Sequence, residues 1–328
     1  MTRRVLVTGG AGFIGSAHVL RLLGPEGPRD VSVTVLDDLT YAGSTAHLAP
    51  VLDDPRLRFV RGDVADSALV DALVPGHDDL VHFAAESHVD RSIEDGSPFV
   101  RTNVLGTQTL LDAAVRHHVR TFVQISTDEV YGSIATGAAR EDDAPRPSSP
   151  YAASKAAADL MALAYHTTHG LDVRVTRCSN NFGPRQHPEK LVPRFVTALL
   201  SGQNVPLYGD GSQIRDWLHV EDHVTAVELV RTGGRPGRVY NVGGGTALTN
   251  RELTGRLLAL CGAGPERIVR AADRKGHDLR YAVDDTRIRR ELGYRPRAVF
   301  ADALADTVRW YAQRHASASR PEPAPARP

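Results

Sequence analysis

Tyr151 and Lys155 stand four residues apart inside an alanine-rich run, so a phenol and an ammonium share one face of a helix. A free phenol, with a pKa of about 10, is a poor base near neutrality, and a neighbouring cation favours its ionised form. Upstream, Ser126, Thr127, Asp128, Glu129, Val130, Tyr131 and Gly132 follow an apolar run and set two carboxyl groups side by side. Moving a hydroxyl proton while hydride departs needs one acid–base group, which Tyr151 supplies with Lys155. Two further carboxyls fit an added step, and loss of water from a sugar is such a step. One must act as acid while the other acts as base, so their surroundings have to drive the two pKa values apart. Adjacent side chains on a strand point to opposite faces, and regular extension must therefore end by Thr127.

Lysine is scarce in this chain: Lys155, Lys190 and Lys275 are the only three. An ammonium makes compact point contacts that an arginine fork does not, so each is expected to have a reason.

The amino-terminal stretch supplies a partner for this chemistry. Residues 3–8 read as a buried strand that turns through Gly9, Gly10, Ala11, Gly12, Phe13, Ile14 and Gly15 into a helical pattern ending at Leu23. The glycines let the backbone approach a pyrophosphate, while the helix amides and dipole attract the anion. A second strand over 31–36 ends in Asp37, about twenty residues past the last glycine, where a carboxylate accepts from an adenosine ribose and repels a 2′-phosphate. NAD is expected rather than NADP, and an oxidised nicotinamide adds a second positive charge near Tyr151. Further strands are expected over 56–60, closing at Asp63 and Val64 beside the adenine, over 80–85, and over 121–125, leading into the acid pair. All these ends share the rim outside which an open parallel sheet binds its ligands.

Together these features resemble the extended short-chain dehydrogenase/reductases. The blocks at 84–92, 178–184, 188–193, 213–217 and 276–281 are similar to those of the dTDP-glucose 4,6-dehydratases, over about residues 5 to 311. The adjacent Asp128 and Glu129 are the most discriminating motif, since related epimerases and decarboxylases usually lack one of the two. The resemblance implies an NAD-dependent hydro-lyase that forms a 4-keto-6-deoxy sugar. Tyr151, assisted by Lys155 and Thr127, would take the 4-hydroxyl proton while hydride passes from C4 to NAD+. Glu129 would remove the C5 proton, Asp128 would protonate the departing 6-hydroxyl, and the hydride would return to C6.

The cofactor contacts so implied are Gly9, Gly12, Phe13, Ile14 and Gly15, then Asp37, Asp38, Leu39, Thr40 and Gly43, then Asp63, Val64, Phe83, Ala84, Ala85, Ser87 and Thr102. Ser126, Tyr151, Lys155 and Asn181 complete that set. The implied substrate contacts are Glu86, Ser87, Thr127, Asp128, Glu129, Tyr151, Asn180, Glu189, Lys190, Leu191, Pro206, Tyr208, Arg215, Asn250, Arg274, His277 and Tyr281. Arg215 and Arg274 would face the diphosphate. Ala152, Phe182 and Lys275 stand where the family commonly has Ser, Tyr and Pro, and none removes a reacting group. Left open are a 4-epimerase or decarboxylase on the same fold, a non-catalytic NAD-sensing protein, and thymidine against uridine.

The implied fold is α/β, a Rossmann-like doubly wound parallel sheet with a smaller carboxy-terminal domain. Residues 1–185 are expected to form the NAD-binding domain, with a return around 217–243, and 186–315 mainly the sugar-nucleotide domain. The proline-rich residues 316–328 are expected to be a disordered tail. Helices over 100–116 and 152–168 carry apolar residues around much of their circumference, and relatives resemble homodimers joined through them. A net charge of +0 disfavours nucleic acid as a partner. Cys178 and Cys261 offer neither a disulfide framework nor a metal-ligand spacing, and no metal is expected. Without a membrane span or an evident signal peptide, a cytoplasmic enzyme is expected.

Overall fold

Long apolar runs with little alternation suit a parallel sheet covered on both faces, and the first half of the chain has such runs. The structure, a computed structural model, describes residues 2–318. Its strands are β1 (Arg3–Thr8), β2 (Val31–Asp37), β3 (Leu57–Arg61), β4 (Asp79–His82), β5 (Thr121–Thr127), β6 (Val173–Cys178), β7 (Asn180–Phe182), β8 (Val205–Tyr208), β9 (Ile214–His219), β10 (Arg238–Val242), β11 (Ala247–Thr249) and β12 (Ile268–Ala271). Seven of them form one parallel sheet in the order β10-β6-β5-β4-β1-β2-β3. The order reverses beside β1, where a doubly wound sheet opens its ligand crevice.

One face of the sheet packs on Val19, Leu22, Val227 and Val230, and the other on Leu110, Leu111, Ala114 and Ala162. The helices Phe13–Leu23 and Val220–Gly233 thus cover one side, and Gly106–Arg116 and Pro150–His169 the other. Helix Val220–Gly233 and β10 bring the chain back to the sheet after β9. A separate core of Val192, Phe195, Val196, Leu253, Leu257 and Leu304 lies under two small sheets, β11-β9-β7 and β12-β8.

Several expectations are corrected. The fourth strand ends at His82, not residue 85, because its neighbour β1 ends at Thr8 and turns away; the Phe83 amide makes the last bond, to the Thr8 carbonyl at 3.0 Å. The third strand runs one residue later than expected, through Arg61. The helix over 100–116 opens as a π-helical segment, Val100–Leu105, before Gly106–Arg116. The last helix, Phe300–Ala318, takes in the first three residues of the expected disordered tail, and the remainder of that tail lies outside the described residues. No helix among the described residues is long and apolar enough to cross a membrane.

Candidate active site

Thr127 ends β5 and caps the short turn Asp128–Tyr131, its hydroxyl accepting from the Glu129 amide at 3.2 Å. Extension stops where two adjacent acids need it to, and both line one cavity. Tyr151 and Lys155 enter the same cavity from helix Pro150–His169. That helix begins with Pro at its first turn and the Ser149 hydroxyl accepting from the Ala152 amide at 3.1 Å, and ends on left-handed Gly170. Lys155 Nζ donates to the Ile125 carbonyl at 2.6 Å, tying the helix to β5. Cys178, at the end of the neighbouring β6, lines the cavity too, with Sγ donating to the Ser126 carbonyl at 3.3 Å.

The two acids differ in their surroundings. Burial raises the Asp128 carboxyl well above the usual range, and the Glu129 charge raises it further. Burial also raises Glu129, but Arg215, Lys190 and Arg274 all pull it back. Asp128 is thus the better keeper of a proton and Glu129 the better carboxylate. Tyr151 departs from expectation. Its phenol is pushed well above the ordinary value, first by burial and then by Glu129, Cys178 and Asp128, with Thr127 opposing. Lys155 does not reverse this: burial lowers its own ammonium, against the charge of Asp159 one turn on, which raises it. In the chain alone the phenol is the stable form, and the phenolate inferred from sequence needs the added positive charge of an oxidised nicotinamide.

A second cavity continues the first past Gly9, Gly12, Phe83 and Ala85. The turn beneath it has no room for side chains: a Cβ on Gly9, where φ is +68°, would lie 2.5 Å from the Ala84 nitrogen, and one on Gly15 2.1 Å from the Gly9 carbonyl oxygen. Phe13, Ile14, Gly15, Ser87, Ser126 and Asn181 line the first cavity. Asp37, Asp38, Thr40, Gly43, Asp63, Val64, Ala84 and Thr102 line the second. The Asp37 carboxylate accepts from the Ala11 amide at 2.8 Å and the Leu39 amide at 2.9 Å, leaving further lone pairs. This cleft fits a dinucleotide. Leu39, expected among its contacts, is not on the wall and packs into the core while its amide orients Asp37. Glu86, expected beside the substrate, lines the Asp37 cavity instead. Its amide donates to Asn103 Oδ1 at 2.9 Å and its carboxylate accepts from the Tyr41 hydroxyl at 3.1 Å, which turns it away.

A third cavity joins the first at Ser87, Glu129, Asn180 and Lys190. Glu189, Leu191, Pro206, Tyr208, Arg215, Asn250, Arg274, His277 and Tyr281 line it as well. Lys190 Nζ donates to the Ser87 carbonyl at 2.6 Å, right at the junction. Arg215 lies 4.1 Å over the Tyr281 ring and donates to the Ile214 and Asp278 carbonyls, and among the described residues no carboxylate pairs with it. Asn180 lines both cavities, and its Oδ1 is buried with no partner among the described residues. Asn181 has its own partners: Nδ2 donates to the Ser179 carbonyl at 2.9 Å and Oδ1 accepts from His223 Nδ1 at 3.0 Å. Of the three lysines, Lys275 is exposed and the expectation of a special role for it finds no contact in its favour.

The family model described as GDP-mannose 4,6 dehydratase matches residues 6–307. The chain is 63% identical over 311 residues to a dTDP-glucose 4,6-dehydratase of Streptomyces griseus, covering 95% of this chain and 94% of that protein. The crystal structure of DesIV, a dTDP-glucose 4,6-dehydratase from Streptomyces venezuelae with NAD and TYD bound, superposes with a TM-score of 0.94 at 59% identity, covering 96% of this chain and 98% of that one. The chain belongs to the dTDP-glucose 4,6-dehydratase family. A UDP-glucose 4-epimerase from Thermotoga maritima, solved with UDP-glucose, shares the fold at 29% identity and a TM-score of 0.87, covering 95% of this chain and 99% of that one.

Other lining residues of this dehydratase-family cleft had no role assigned from sequence. Trp217 presents a buried Nε1 with no partner, and Asp278 Oδ2 accepts from the Tyr281 hydroxyl at 2.7 Å and from Ser148. Both lie inside blocks that carried the resemblance, so the signal was present without a role attached. Arg194, one turn into helix Leu191–Leu200, had no such flag.

Proposed function

We propose that this chain converts dTDP-glucose to dTDP-4-keto-6-deoxyglucose and water with a bound NAD+. The observation that carries this is the meeting of Asp128, Glu129 and Tyr151 in one cavity that opens on one side toward the glycine turn and on the other toward Arg215 and Arg274. NAD+, when bound, would supply the hydride acceptor for C4 and, once reduced, the donor for C6. Tyr151 takes the 4-hydroxyl proton, with Thr127 beside it and Lys155 holding positive charge behind it. The resulting ketone acidifies C5–H, Glu129 removes that proton, Asp128, kept protonated by burial, delivers its own to the departing 6-hydroxyl, and Glu129 gives its proton back to C5 as hydride returns to C6. Arg215 and Arg274 face the diphosphate, and Asn180 offers its free carbonyl to the sugar. Asp37 receives the adenosine ribose.

The chain acts as a homodimer in the cytoplasm. Val100, Leu105 and Leu160 are 58%, 44% and 56% exposed on the two helical segments expected to meet a second copy, an apolar surface that a partner would cover. Both cysteines are free, in keeping with a reducing compartment. Light scattering on wild type and Leu160→Glu tests the dimer; a monomeric wild type would refute it.

Incubation with dTDP-glucose should give a product lighter by one water, with no net NADH. An epimerised sugar, or no turnover by NAD-loaded protein, would overturn the assignment.

A further inference from the structure

Arg274 is one of two cations proposed to meet the substrate diphosphate, and the inference here rests on that reading. Its backbone is held locally: the Arg274 amide donates to Asp273 Oδ1 at 2.9 Å, and the same oxygen lies 2.6 Å from His277 Nδ1. Its side chain is held from the other half of the molecule. Nη2 donates to Asp90 Oδ2 at 3.0 Å and Nε lies 2.6 Å from Asp90 Oδ1. Asp90 sits on the short helix Val89–Glu94, which follows directly on the segment lining the dinucleotide cleft. The next residue, Arg91, pairs with Glu189 of the substrate cavity, so neighbouring residues of opposite charge hold two substrate-facing residues of opposite charge.

A guanidinium has five N–H donors in a fixed plane. Asp90 takes one hydrogen of Nη2, while Nε stands close to Oδ1 without making a hydrogen bond, and this leaves Nη1 and the outer hydrogen of Nη2 as a fork of the spacing an oxyanion accepts. We propose that Asp90 is a positioning residue that fixes the plane of Arg274 and aims its outer fork at the nucleotide diphosphate. Asp90 lines the same cavity as Arg274, and its part there is to hold the guanidinium. Removing its charge frees the arginine to sample other rotamers, so affinity for the diphosphate falls while the chemistry at C4, C5 and C6 continues.

The test is Asp90→Asn in the NAD-loaded full chain, with Asp90→Ala alongside, titrated with dTDP and with thymidine. The dTDP Kd and the KM for dTDP-glucose should both rise about tenfold, with kcat within about twofold, thymidine affinity unchanged and bound NAD retained. In an Arg274→Ala background, Asp90→Asn should add nothing. Unchanged dTDP affinity in Asp90→Asn while Arg274→Ala weakens it would overturn the inference and leave the substrate assignment standing. Tighter dTDP binding would also overturn it, by making Asp90 a competitor for Arg274. Normal dTDP affinity in Arg274→Ala itself would instead defeat the underlying placement of the diphosphate.

Discussion

The dinucleotide cleft and the sugar-nucleotide cavity share four lining residues but are built on different principles. The first is shaped by backbone: a strand, a glycine turn and a helix, with Asp37 held by two amides. The second is shaped by side chains carried on short strands and loops, and its charges are held by other charges, Arg274 by Asp90 and Glu189 by Arg91. A backbone-built site tolerates changed side chains and fails when an atom is added, whereas a site built from side chains loses function when one is truncated. The acids and the phenol stand where the two meet, and there substitution should cost turnover itself.

The largest effects should fall at that boundary. Tyr151→Phe should lower kcat about a thousandfold and stop both oxidation and elimination, measured by product formation and by reduced-cofactor absorbance in a single turnover. Glu129→Gln should separate the steps: C4 is still oxidised, elimination halts, and reduced cofactor accumulates on the enzyme. Normal dehydration by this variant would remove Glu129 as the base.

Next in size is an addition to the backbone-built half. Gly15→Ala should destabilise the fold by roughly 1–3 kcal/mol and release bound NAD, because the new Cβ meets the Gly9 carbonyl oxygen. Thermal denaturation with and without added NAD reads both effects. A truncation in the other half, Arg215→Met, should raise the KM for dTDP-glucose about tenfold and also move the pH profile. Glu129 works ionised and its pKa is already raised, so kcat/KM is lost as pH falls through that raised value. Removing the Arg215 charge raises it further and displaces the acid limb to higher pH; an unmoved limb would show that Arg215 does not tune the base. The smallest effect belongs to Lys275→Ala, where an exposed ammonium should change KM by less than about twofold.

The same division explains what could be read without a structure. Apolar runs and glycine spacing expose the strands and the turn directly, and β1, β2 and the helix between them fall where the pattern puts them. The arrest of extension at Thr127 is a demand of the chemistry that no local residue pattern shows, and the turn Asp128–Tyr131 meets it. Glu86 misled because motif membership does not say which way a side chain turns, and its carboxylate is held by the Tyr41 hydroxyl. The Tyr151 phenol misled for an electrostatic reason: spacing reports a nearby ammonium, while burial and two carboxylates depend on the whole fold. The asymmetry of cations around Asp128 and Glu129 comes from residues far apart in sequence, Lys190, Arg215 and Arg274, which no local pattern links.

Cys178 gives the chemistry a margin of safety. Elimination leaves a carbon–carbon double bond conjugated to a ketone, an electrophile to which thiolates add. The one cysteine on the wall of that cavity is buried beside Asp128, and these surroundings push its thiol up to about 12. At neutral pH its sulfur keeps its proton and is a poor nucleophile, so the catalyst is shielded from alkylation by the compound it makes.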